Sequence, residues 1–267
     1  MPAVAGQFYS GAASSLAKEV EGLIDRNARE VIDAIGVVSP HAGYIYSGRV
    51  AGAVLSSIAP RPHYIIMGPN HTGMGERFSV SGASFWRTPL GDVEIDTELA
   101  DRIKSDCRYI KEDEAAHLGE HSIEVELPFL QALEKGFKFV PILIGQSDLA
   151  VYKEIGRALA RSIVGSKLEK KIVIIASSDM THYEPQEAAK EKDRKAIEAI
   201  LELDEDKLIG DIEKYDITMC GYAPVAIMLV AAKKLGAKEG RLVKYETSGD
   251  ASGDYSSVVG YAGLVIN

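Results

Sequence analysis

The chain has 267 residues, is 46% apolar and carries a formal charge of −9. A chain of this length buries roughly 75% of the surface its unfolded form exposes. It contains no run of about 18 apolar residues, so no membrane-spanning helix is expected, and the opening MPAVAGQFYSG lacks the pattern of a signal peptide. Basic residues are scattered, and the densest group, Glu187 to Lys195, alternates in sign, which argues against a nucleic-acid surface. Two cysteines, Cys107 and Cys220, are too few for a disulfide framework and fit a reducing cytoplasm.

Short apolar runs alternate with amphipathic segments. Leu16, Val20, Leu23 and Ile24 share one helical face. Ile35–Ser39 reads as a buried strand, followed by a helix near Arg49–Ile58 and a second buried strand at His63–Met67. Phe78–Phe85 and Val93–Ile95 read as an antiparallel excursion with a turn near Pro89–Gly91, and a helix near Thr97–Lys104 follows. EHSIEVELPFLQALEK predicts a helix from about Glu120, kinked at Pro128. Phe137–Ile144 is a strand, Asp148–Val164 a helix and Lys171–Ala176 another buried strand. Helices are predicted at Glu187–Leu203, Glu205–Lys214 and Gly221–Leu235, then strands near Leu242–Thr247 and Val258–Ile266 with a turn-rich loop between them. This alternation implies an α/β fold whose sheet is at least partly parallel and covered on both faces.

Three buried strands end in polar groups: Pro40-His41-Ala42-Gly43, Gly68-Pro69-Asn70-His71, and Ser177 through Tyr183 (SSDMTHY). Open α/β sheets bind ligands outside the carboxyl ends of their strands. If the three strands run parallel, His41, His71, Asp179 and His182 meet on one rim. Any one histidine after a strand could equally bond a loop carbonyl, and the case for a site is the joint pattern. His63 opens a strand and His117 lies in an acidic loop, so both read as structural or solvated. His121 falls in the first turn of a predicted helix, where the dipole favours neutral imidazole. Glu120 and Glu124 read as ordinary first-turn acids. Cys220 precedes an apolar helix, a setting that lowers a thiol pKa, although small buried cysteines are common. The loop Ser248–Ser257 carries Asp250 and Asp254 without the spacing of a calcium loop.

The motifs PHAGYIYSG, GPNH, EHSIEVELPFL, SSDMTHY, MCG and SGDASGDYSSVVGYA together resemble the Memo family (mediator of cell motility) over nearly the whole chain. That family is similar in turn to the class III (LigB-type) extradiol dioxygenases. The resemblance implies one domain over 1–267, a three-layer α/β/α sandwich around a mixed, partly parallel sheet, with a metal-centred cleft. It implies His41, His71 and Cys220 as metal ligands, and Asp179, His182 and His121 as cleft residues in catalytic roles. The dioxygenases hold iron through two histidines and a carboxylate. Here Cys220 takes the carboxylate's place, and thiolate is softer, so iron or copper is expected and zinc is compatible. The expected function is a metal-dependent oxidoreductase acting on a small substrate, aromatic ones included. The alternative is a non-catalytic module that uses the cleft to recognise a peptide or small anion. A zinc hydrolase is a weaker option, because no HExxH element is present.

Overall fold

The computed structural model describes residues 2–25 and 31–267. The chain begins with α1 (Ala13–Leu23), β1 (Gly36–Ser39), α2 (Tyr44–Ser56), β2 (His63–Pro69), β3 (Phe78–Val80), β4 (Phe85–Thr88), β5 (Gly91–Ile95) and α3 (Thr97–Asp106). There follow β6 (Lys111–Glu112), two 3-10 turns at Ala115–His117 and Glu124–Glu126, α4 (Leu127–Leu133), β7 (Lys138–Ile144), α5 (Leu149–Gly165), β8 (Ile172–Ser177) and β9 (His182–Glu184). The last third holds α6 (Gln186–Leu201), α7 (Glu205–Tyr215), α8 (Tyr222–Lys234), β10 (Gly240–Thr247), α9 (Ser248–Ser252) and β11 (Val258–Ile266).

The strands form one mixed sheet in the order β10-β11-β1-β8-β2-β7-β3-β6. β1, β8, β2 and β7 run parallel to one another, whereas β11 is antiparallel to β1 and β3 is antiparallel to β7. The parallel strands are buried on both faces, which is why they read as continuous apolar runs. Their side chains alternate between two cores. Val38, Ile65 and Ile174 pack with residues of α3, α5 and α8, while Val37, Ile66 and Val173 pack with residues of α1, α2 and α4. The fold is therefore α/β with helices on both faces of a mixed sheet, as expected. Each fully buried Ile or Val contributes about 1.5–3 kcal/mol. Among the described residues, no helix is long and apolar enough to cross a membrane.

Four local expectations need correction. α2 begins at Tyr44, five residues before the predicted start, because the YIYSG run already places Tyr44, Ser47, Gly48 and Ala51 on one buried face. No helix starts at Glu120. Its carboxylate accepts the N–H groups of His121 (2.9 Å) and Ser122 (2.9 Å) and holds the backbone in a turn. His121 is thus outside a helix, and α4 begins only at Leu127. Pro128 occupies the first turn of α4, where its missing N–H costs nothing, so it starts a helix and kinks none. Between β10 and β11 the chain forms α9, with a capping box between Thr247 and Asp250.

Candidate metal centre

The carboxyl ends of β1, β8 and β2 are neighbours, so the segments that follow them meet above the same edge. His41 follows β1 and is 2% exposed. His71 follows β2 and remains open to solvent, and His121 arrives from the turn between the 3-10 elements. One ring nitrogen from each of these three lies within 4.8 Å of the other two, a group that could hold a metal ion. The rings of His71 and His121 stack at 4.8 Å, and His41 meets both edge-on at 5.2 and 5.5 Å.

Cys220 lies beside this group. Its Sγ is 3.2 Å from His41 Nε2 and accepts the Asp179 N–H at 3.3 Å. The approach depends on Gly221, where a Cβ would fall 2.3 Å from the Ser177 carbonyl oxygen. Asp179 ties the two together, because its Oδ1 also accepts the His41 backbone N–H at 2.8 Å. His182 is the outlying member. Its Nδ1 donates to the Thr218 carbonyl at 2.8 Å, which leaves Nε2 as the basic nitrogen. It acts on His41 and Asp179 electrostatically.

The electrostatics favour the neutral ring at His41 and at His121. Burial, then the nearby His71 and His121, hold His41 well below the ordinary histidine value. Burial also lowers His121, against the pull of Glu120. Burial raises Asp179 to about 6, opposed by the His41 N–H and by His182. The thiol of Cys220 goes the other way from the expectation set by a helix N-terminus: burial, then the Asp179 charge, push it up. It precedes the α8 cap Gly221, and the low-dielectric surroundings outweigh the dipole.

Three acids serve the site, two of which, Glu120 and Glu124, read in the sequence as ordinary first-turn residues. Glu120 accepts the His71 backbone N–H at 2.7 Å and lies 3.0 Å from His71 Nδ1. Burial pulls its carboxyl up, but His71 and the Ser122 N–H outweigh that and bring it down to about 2. Glu124 accepts N–H groups from Ala3 (2.6 Å) and Val4 (3.1 Å) and the Tyr9 hydroxyl (2.6 Å). This fastens the N-terminal segment beside the cleft, where Phe8 packs 4.7 Å from the His121 ring. Glu126 is fully buried under Ser39 and Ser177. In the sequence only the EHSIEVE spacing marks these residues, and there it reads as the start of a helix that in the structure begins only at Leu127. Of the tyrosines near the cleft, Tyr44 belongs to the core, donating to the Val125 carbonyl, while Tyr46 and Tyr183 are exposed. Tyr183 is 78% exposed at φ 60°, an uncommon backbone for tyrosine. His63 bonds Asp96 at 2.7 Å, and His117 is buried against Trp86.

An α/β sandwich with three imidazoles and a thiol gathered at the carboxyl edge of its parallel strands defines a protein with a candidate metal-binding cleft. The chain belongs to the Memo-like family, whose model matches residues 1–265. It is 46% identical to a MEMO1 family protein of Methanopyrus kandleri over 277 residues, covering 99% of this chain and 97% of that one. It is 44% identical to a MEMO1 family protein of Methanocaldococcus jannaschii over 283 residues, covering 99% and 98%. An uncharacterized Escherichia coli K12 protein of known structure shares the fold at a TM-score of 0.60 and 12% identity, covering 86% of this chain and 98% of that one.

Proposed function

We propose that the chain binds a redox metal, iron or copper with zinc also compatible, and acts as a metal-dependent oxidoreductase on a small substrate. The observation that carries this reading is the meeting of His41, His71 and His121 within 4.8 Å, with Cys220 Sγ 3.2 Å from His41 Nε2. The donor set fits a metal. His41 and His71 each have Nδ1 engaged, by Ser177 and Glu120, which leaves Nε2 of each as the coordinating atom. His41 and His71 would be two ligands, and Cys220 or His121 the third. When bound, such a metal supplies Lewis acidity and electron transfer.

The remaining roles fall to the chain itself. His182, with its proton on Nδ1, presents Nε2 as a general base, and His121 is the second candidate for moving protons. Asp179 positions His41 and Cys220 through its carboxylate and its own N–H. The exposed rings of Tyr46 and Tyr183 offer an aromatic rim for the ligand.

Metal analysis of protein purified without a histidine tag tests the reading, with a His41→Ala/Cys220→Ala double variant as control. Stoichiometric metal lost in the variant is the expected result, and equal metal in both would overturn it. An oxygen-uptake screen with catechols and related diols then separates turnover from a cleft that only binds a peptide or small anion.

A further inference from the structure

Behind His41, on the side away from Cys220, a buried chain of oxygen atoms leads to Glu126. Ser39 and Ser177 close the parallel strands β1 and β8 and are register partners, so their hydroxyls leave the sheet on the same side. Ser177 Oγ lies 2.8 Å from His41 Nδ1, 2.6 Å from the Ser122 carbonyl oxygen and 3.1 Å from Glu126 Oε1. Ser39 Oγ lies 2.8 Å from Glu126 Oε2. Ser39, Ser177 and Glu126 are fully buried.

The protons in this chain can be counted. A serine hydroxyl has one proton and two lone pairs. The Ser122 carbonyl can only accept, and its contact with Ser177 is the shortest of the three, so the Ser177 proton lies there. The two other neighbours of Ser177 Oγ must then each bring a proton. One is the His41 Nδ1–H. The other is a proton on Glu126 Oε1, which leaves Oε2 as the carbonyl oxygen that accepts from Ser39. With an ionised Glu126 one Ser177 contact would hold no proton: either a carboxylate oxygen at 3.1 Å or the Ser122 carbonyl at 2.6 Å would face a lone pair. A buried polar contact of that kind is costly.

We propose that Glu126 is a positioning residue: as a neutral carboxylic acid it donates to Ser177 and thereby holds His41 with its proton on Nδ1 and its Nε2 lone pair turned toward Cys220. Burial raises the Glu126 carboxyl to about 8 against the opposing serine hydroxyls, in agreement with the proton count. The histidine is thus oriented by a neutral relay and not by the carboxylate that commonly backs a metal-binding histidine. The consequence for metal affinity rests on the reading of His41 as a ligand. The protonation of Glu126 and the tautomer of His41 do not.

Glu126→Gln keeps a neutral donor for Ser177 and an acceptor for Ser39, whereas Glu126→Ala removes both. In metal-free protein near neutral pH, infrared difference spectra between wild type and Glu126→Gln should reveal a protonated carboxyl band lost in the variant. Nitrogen-15 NMR should find the same His41 tautomer in both, and a mixture in Glu126→Ala and Ser177→Ala. Iron or copper titration should give wild-type affinity for Glu126→Gln and a loss of about 10–100-fold for Glu126→Ala. A carboxylate band for Glu126, or a tautomer in Glu126→Gln displaced from that of wild type, overturns the proposal. If Glu126→Ala does not fold, the wild-type and Glu126→Gln pair still decides. If wild type binds no metal, the functional reading fails, while the infrared and NMR results still judge the relay.

Discussion

His71 and Glu120 hold each other through two bonds, one from the His71 backbone N–H at 2.7 Å and one between the ring Nδ1 and the carboxylate at 3.0 Å. The same carboxylate also accepts the N–H groups of His121 and Ser122, so one buried acid orients two of the three clustered imidazoles. An amide cannot replace it, because its NH₂ would face donors. Glu120→Gln should therefore weaken metal binding about 10–100-fold, and lower stability by about 2 kcal/mol. Isothermal titration and urea unfolding measure the two effects. An affinity equal to wild type would show that Glu120 serves the turn alone.

In the proposed ligand set Cys220 takes the place that a carboxylate holds in a facial triad. Cys220→Asp should move metal preference toward iron and away from copper, since carboxylate is the harder ligand. Competition between the two metals, read by elemental analysis of the loaded protein, checks the direction. An unchanged metal ratio would place the third ligand at His121.

Glu124 carries the N-terminal segment through three bonds. Glu124→Ala strands the Val4 N–H and the Tyr9 hydroxyl without their acceptor, at a cost of about 3 kcal/mol. Hydrogen exchange should rise through residues 3–9. Protection should also fall around His121, because the Phe8 ring packs against it. Wild-type exchange in that segment would contradict the tether.

His117 supplies a pH dependence. Burial lowers it to about 4, against the nearby Glu114 and Asp113, and its Nδ1 has no partner among the described residues. The folded state therefore favours the neutral ring, and the unfolded chain binds the proton more tightly. Stability from this group is complete above the unfolded value of 6.5 and is lost as pH falls toward about 4. At 1.36 kcal/mol per unit the loss is about 3 kcal/mol. His117→Leu should flatten that part of the stability curve in urea titrations taken on both sides of the window. A variant as acid-sensitive as wild type would assign the fall to His41 and His121.

Legibility followed the range of the interactions. The apolar runs of β1, β2, β7 and β8 are local patterns, and each strand ends where a proline, glycine or serine interrupts its run. Helices α5 to α8 are equally plain, because their periodicity is set by the core they cover. EHSIEVELPFL misled for the same reason. Its acids and aliphatics fall at helical spacing, yet Glu120, Glu124 and Glu126 are held by partners elsewhere in the fold.

The sequence by itself determined the α/β alternation and the delivery of His41, His71 and Asp179 to strand ends, since hydrophobic periodicity and turn residues act over a few positions. Tertiary structure alone decided that His121 joins the histidine group and that Cys220 touches His41. It also gave each acid its task, Glu120 to His71 across 49 residues, Glu126 to Ser39 across 87 and Glu124 to Ala3 across 121. Hydrogen bonds between distant side chains leave no period in the sequence. They exist only once the parallel strands have brought their carboxyl ends together.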